Sequence, residues 1–157
     1  MRIITALTAY WLFFIRNNLT MNQNTYPCVF IADDDEDDRY LLNLAFARHS
    51  PQCRLVFAHD GLALLDALAH YEMVPELIIL DMNMPRLNGF EALEALRDHP
   101  FYLTTPVVIL TTSDAETDRQ RAQQLGANEF ITKPINSELL GQIVTRLRVD
   151  WLEGNCC

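Results

Sequence analysis

The largely apolar stretches of this chain are short, and four of them end in side chains able to do chemistry. Val29-Phe-Ile-Ala32 runs into Asp33-Asp34, and Glu76-Leu-Ile-Ile-Leu80 into Asp81. Val107-Val-Ile-Leu110 runs into Thr111-Thr112, and Glu129-Phe-Ile-Thr132 into Lys133-Pro134. Short aliphatic runs bounded by proline or turn formers read as strands buried on both faces. Cys53 to Ala58 reads as a further short strand. The intervening segments follow the helical period. Glu36 to His49 carries Leu41, Leu44, Ala45 and Arg48 at that spacing, with acids in its first turn where the helix dipole favours them. Asp60 is placed to cap a helix holding Leu64, Leu65 and Leu68, and Asn88 opens one with Phe90, Leu93 and Leu96. Ser113-Asp-Ala-Glu116 has the form of a capping box, and Gly126 is placed to stop the helix it begins. Asn136 starts a last helix marked by Leu139, Ile143 and Leu147.

Strand–helix alternation predicts an α/β fold with a parallel sheet covered by helices on both faces. Such a sheet carries its ligand site outside the carboxyl ends of the strands. The flagged polar groups all fall at those ends. Turns and caps alone favour Asp and Thr after strands, which would explain one such residue. It does not explain complementary carboxylates, a hydroxyl and an amine on four strands. An ionised carboxylate such as Asp81 is costly to leave unpaired at the end of a buried strand. The set therefore reads as a phosphorylation site built around one acceptor carboxylate and one divalent cation.

At 157 residues the chain suits one domain with a sizeable core. Its net charge is −9, but Asp33-Asp-Asp-Glu-Asp-Asp38 supplies six of the 21 acids, so the acidity is mostly local. Asp35, Glu36, Asp37 and Asp38 are read as a solvated face at a helix start. No basic stripe is present, which argues against direct nucleic-acid binding. Cys28 and Cys53 fall in predicted strands as small core residues, and reduced cysteines suit a cytoplasmic protein. Residues 1–25 read as an extension before the fold, apolar from Ile3 to Ile15 and polar around Asn22. Thirteen residues fall short of the roughly 20 needed to span a bilayer. Met21 offers an alternative start, and a membrane-surface or partner-binding helix at 3–15 is the competing reading. The fold is expected over 26–149, followed by a short tail, 150–157, ending in Cys156-Cys157. That pair has the form of a prenylated tail, although an exposed, oxidisable end is the plainer account.

Tyr26 to about Leu147 resembles the receiver domain of two-component response regulators. The resemblance rests on Ile31-Ala-Asp-Asp34, Ile79-Leu-Asp-Met-Asn-Met-Pro85 with Gly89, Val108-Ile-Leu-Thr111 and Ile131-Thr-Lys-Pro134, in that order and spacing. Leu110-Thr-Thr-Ser113 and Leu125-Gly-Ala-Asn128 are similar to stand-alone receivers paired with phytochrome-type histidine kinases. The resemblance implies a doubly wound, flavodoxin-like five-stranded parallel sheet of order 2-1-3-4-5. It implies that Asp81 accepts a phosphoryl group from a phosphohistidine. Asp33 through water, Asp34, Asp81 and the Asn83 main-chain carbonyl would hold Mg²⁺, while Lys133 and Thr111 would bind phosphoryl oxygens. Phe130 matches the aromatic that turns inward on activation. Thr112 and Asn83 sit where they could influence phosphate lifetime, and the bond before Pro134 is commonly cis in the family. The implied partners are a sensor histidine kinase or phosphotransfer protein and a downstream protein. A homodimer through the last two helices and fifth strand is an open alternative. Two rival functions remain: a degenerate receiver serving as a binding scaffold, and an aspartyl-phosphate phosphatase. The latter is disfavoured because Asn83 stands where such enzymes carry a second Asp.

Overall fold

The computed structural model describes residues 26–153. The apolar stretch at 3–15, Met21 and Cys156-Cys157 lie outside the described residues, and with them the readings placed there. Five strands, β1 (Cys28–Ala32), β2 (Arg54–Ala58), β3 (Leu77–Leu80), β4 (Val107–Thr111) and β5 (Glu129–Thr132), form one sheet of order β2-β1-β3-β4-β5. All four pairings are parallel. Five α-helices connect and follow them: α1 (Glu36–His49), α2 (Gly61–Ala69), α3 (Gly89–Asp98), α4 (Glu116–Gln124) and α5 (Ser137–Leu147). A π-helical turn, Arg148–Leu152, continues from α5, and its Leu152 is buried in the same layer.

The strands are apolar on both sides because both sides are covered. Val29, Ile31, Leu77, Ile79, Val108 and Leu110 pack with Leu42, Ala45 and Phe46 of α1 and Leu140, Val144 and Leu147 of α5. The alternate residues, including Phe30, Ile78, Leu80 and Ile109, pack with Leu64 and Leu68 of α2, Phe90, Leu93 and Leu96 of α3 and Ala122 of α4. Full burial of each Val, Ile, Leu or Phe among these contributes roughly 1.5–3 kcal/mol. The two layers fix the sheet in register and bring its carboxyl ends to one edge.

The expected caps at Asp60, Asn88 and Asn136 are present, each accepting a hydrogen bond from a main-chain N–H in its helix's first turn. Asn88 and Glu91 form a reciprocal capping box. Gly126 adopts φ +91 just beyond α4, as a left-handed helix stop requires. Three local expectations are corrected. Ser113 does not form a capping box: Ala115 is the N-cap of α4, without a side-chain cap bond, and the Ser113 hydroxyl donates to Asp118 instead (2.6 Å). On α1, Leu41 and Leu44 are exposed, while Leu42, Ala45 and Phe46 face the sheet. Leu139 of α5 is likewise exposed, with Leu140 one position on taking the core side. In both helices consecutive leucines left the phase of the apolar stripe ambiguous. Cys53 lies one residue ahead of β2, its Sγ 3.0 Å from the Ser50 hydroxyl.

Candidate functional site

The β1 and β3 ends lie side by side at the carboxyl edge. Asp81 N–H donates to the Ala32 carbonyl (2.8 Å), and Asp33 N–H donates to the Ala58 carbonyl at the end of β2 (3.1 Å). These bonds bring Asp33 and Asp81, the first residues beyond β1 and β3, to one place beside the end of β2. Ligand oxygens of Asp33, Asp34 and Asp81 all fall within 4.8 Å of one another. Asp33 and Asp81 are buried, at 2% and 5% exposure, while Asp34 faces solvent. One Asp33 oxygen accepts the Asp35 N–H (3.0 Å), and Asp81 Oδ1 accepts the Met82 N–H (2.8 Å). Three carboxylates in so small a space repel each other strongly unless cations intervene.

One cation is built in. The Lys133 N–H donates to the Thr111 carbonyl (2.7 Å), tying the ends of β4 and β5 together. From there Nζ reaches Asp33 Oδ2 (2.7 Å) and Asp38 Oδ2 (2.7 Å), and lies 3.8 Å from Asp81 Oδ2. Burial works against the ammonium charge, but its bonds to Asp33 and Asp38 and the nearby charges of Asp33 and Asp81 outweigh it, holding its pKa above the ordinary lysine value. Burial also pushes the Asp33 carboxyl up, a shift that Lys133 only partly offsets. Asp33 is thus a buried carboxylate still short of positive charge.

Thr111 is fully buried at the end of β4, its Oγ1 receiving the Ser113 N–H at 3.4 Å and making no hydrogen bond to Asp81. Thr112 next to it is exposed. Asn83 sits on the exposed loop after β3. Phe130 is three residues upstream of Lys133, its ring largely buried beneath the Arg119 guanidinium (4.7 Å to the centroid). Arg119 also donates to the Phe130 carbonyl (2.8 Å). Pro134 is half-buried, and the bond before it is trans, unlike the cis bond the resemblance implied. Pro134, Asp38, Leu41, Leu42, Leu110 and Ile135 border a groove of about 190 Å³ that leads to Lys133.

Residues 29–145 match the family described as the response regulator receiver domain. The chain belongs to that family. The receiver is 32% identical to the response regulator Rcp1 of Synechocystis sp. over 135 residues, covering 83% of this chain and 92% of that protein. It superposes on the phosphorylated cyanobacterial phytochrome response regulator RcpA with a TM-score of 0.75 and 31% identity, covering 83% of this chain and 96% of that one. The Mn²⁺-bound form of Rcp1 gives 0.72 at 31% identity, covering 81% and 95%. Both the receiver fold and the likeness to stand-alone, phytochrome-associated members follow from these comparisons.

Two contributions to this edge escaped the sequence reading. Asp38 was assigned to a solvated acidic face, yet it grips Lys133. The clue was its place in the first turn of α1, where side chains lean back toward the helix start and so toward the strand ends. Arg86 is the second. It has φ +64, a left-handed backbone uncommon for a side-chain-bearing residue. Its guanidinium donates to buried Asp60 through Nε (2.7 Å) and Nη2, and to His59 Nε2 (2.8 Å). The loop after Asp81 is thereby pinned to the start of α2. No local pattern in the sequence announces that pairing across 26 residues.

Proposed function

We propose that this receiver accepts a phosphoryl group on Asp81 from a phosphohistidine of a histidine kinase or phosphotransfer protein, with Mg²⁺, and signals by protein–protein contact. The observation that carries the reading is the pairing of opposites around Asp81: two further carboxylates within 4.8 Å and an ammonium 3.8 Å away. A carboxylate oxygen of Asp81 attacks phosphorus, the P–N bond breaks, and the imidazole leaves with its electron pair and takes up a proton. Donor and acceptor are both anionic, so the work of the site is positioning and charge neutralisation.

The donor set suits a hard cation. Asp33, Asp34 and Asp81 offer carboxylate oxygens, and the charge of buried Asp33, only partly balanced by Lys133, favours a nearby positive ion. These residues and the Asn83 carbonyl would hold Mg²⁺. The bound ion supplies positive charge to the phosphoryl oxygens. That Rcp1 has a Mn²⁺-bound form and RcpA a phosphorylated one supports a reading with both a divalent cation and a phosphoryl group. Lys133 neutralises phosphoryl charge from the other side, and the Thr111 hydroxyl, held only by a long bond to Ser113, is available to turn toward it. Phe130 lies on β5 beside β4 and packs under Arg119 of α4, and an output through α4, β5 and α5 fits this arrangement, whether the partner is another protein or a second copy. Thr112 is exposed beside the site and suited to tune access of water.

The phosphatase alternative lacks a carboxylate two residues after Asp81, where Asn83 stands, and the scaffold alternative leaves the retained set of Asp33, Asp34, Asp81, Thr111 and Lys133 without a purpose. The reading makes the protein a phosphoacceptor in the cytoplasm alongside its kinase. Among the described residues no helix is long and apolar enough to cross a membrane. Borohydride trapping tests the acceptor directly. It reduces an acyl phosphate to an alcohol, so peptide mapping after phosphodonor treatment should find homoserine at position 81. Homoserine elsewhere, or unchanged Asp81 in protein that has gained a phosphoryl group, would reject it.

A further inference from the structure

Lys133 is shared among three carboxylates, and the three are not equivalent. Asp33 is buried and also bound by the Asp35 N–H. Asp81 is buried and 3.8 Å away, outside hydrogen-bond distance. Asp38 matches Asp33 in distance at 2.7 Å, but its side chain is 33% exposed against 12% for Lys133. Its carboxylate also borders the groove beside Pro134 and Ile135, which opens it to water. A carboxylate that water can reach is released at far lower cost than a buried one. Of the two bonds that now hold Nζ, the one to Asp38 is therefore the one given up first.

We propose that Asp38 is a positioning residue that holds the Lys133 ammonium away from the acceptor in the unphosphorylated receiver and yields it to the phosphoryl group. This rests on Asp81 being the acceptor. The new phosphoryl oxygens extend from Asp81 toward Nζ and bring more charge than one carboxylate. Lys133 turns to them, and Asp38 is rehydrated through the groove. Asp38 thus sets a threshold: every phosphoryl group must compete with it for the same ammonium. Its position in the first turn of α1 also couples that helix to the state of the site.

The test is titration of the full chain with beryllofluoride, a phosphoryl mimic, at saturating Mg²⁺, reading bound fluoride by fluorine NMR. Wild type is compared with Asp38→Asn, Asp38→Ala, Lys133→Gln and the double variant Asp38→Asn/Lys133→Gln. Removing the competing charge should lower the half-saturating concentration by roughly 2- to 5-fold, the size of a partly exposed ion pair. Both Asp38 variants should shift in this direction, since both remove the carboxylate and Glu36 and Asp37 still supply acids to the first turn. The gain should vanish when Lys133 is already glutamine, because Asp38 acts through it. Equal or weaker binding by both Asp38 variants would overturn the proposal. So would the same gain in the Lys133→Gln background, which would mean a general charge effect. Loss of beryllofluoride binding in wild type itself would instead remove the Asp81 reading, and this inference with it.

Discussion

Gly89 packs against Asp81 so closely that a Cβ on it would collide with the Asp81 carbonyl oxygen. Its N–H donates to the Met82 carbonyl (3.0 Å), which closes the loop between β3 and α3. The start of α3 and the acceptor are therefore one rigid unit. Gly89→Ala should force the two apart, at a cost of about 1–3 kcal/mol in folding stability, and should slow phosphorylation through displacement of Asp81. Chemical denaturation and phosphodonor labelling of the same preparation check both. Unchanged labelling would mean that the loop relaxes without moving the carboxylate.

Asp34 combines exposure with closeness to the buried pair, so its substitution should separate metal binding from folding. Asp34→Asn is expected to leave the unfolding midpoint nearly unchanged. It should weaken Mg²⁺ binding by no less than the roughly 10- to 100-fold that outer-sphere partners of a metal are worth. A Mg²⁺ titration followed by NMR shifts around Asp81 measures this. Equal affinity in the variant would take Asp34 out of the metal set.

Asp60 carries a pH dependence whose sign is fixed by its surroundings. Burial opposes its charge, but the Ala63 N–H and the Arg86 guanidinium outweigh this and hold the carboxyl below the usual range. A carboxyl with a folded-state pKa below its unfolded value stabilises the protein above the unfolded value, about 3.9. That contribution is lost as pH falls through the folded value. Asn is as good a cap as Asp, so Asp60→Asn isolates the charge. Unfolding measured from neutral pH down to about 3 should show a steeper acid loss in wild type than in Asp60→Asn. Parallel curves would show that the charge on Asp60 contributes nothing to stability.

Much of this architecture was legible beforehand, and the exceptions share a cause. β1, β3 and β4 announce themselves because a strand covered on both faces must be apolar throughout. Asp60, Asn88 and Asn136 were legible as caps because each sits immediately before a helical period. The phase of α1 was not, since Tyr40-Leu41-Leu42 offers apolar residues on more than one side, and only packing on the sheet selects Leu42. Ser113 fits the capping-box pattern, yet its hydroxyl finds Asp118, and the helix starts at Glu116 without it. The same limit hid the two long-range pairs: Lys133 with Asp38 and Arg86 with Asp60 join residues that only the sheet's topology brings together.

Arg119 covers Phe130 from α4, stacking on its ring and bonding its carbonyl. Arg119→Ala should cost about 1 kcal/mol from the lost cation–π contact and hydrogen bond. It should also speed hydrogen exchange along β5 more than along β1. Uniform exchange across the sheet would mean that Arg119 does not restrain Phe130 locally.

The central claim is that Asp81 takes a phosphoryl group in a cation-dependent reaction. Intact-protein mass after incubation with acetyl phosphate, with and without Mg²⁺, beside Asp81→Asn, tests it most directly. Wild type should gain one phosphoryl group only when Mg²⁺ is present, and folded Asp81→Asn should gain none. A gain of the same size in Asp81→Asn, or none in folded wild type with Mg²⁺, would contradict it.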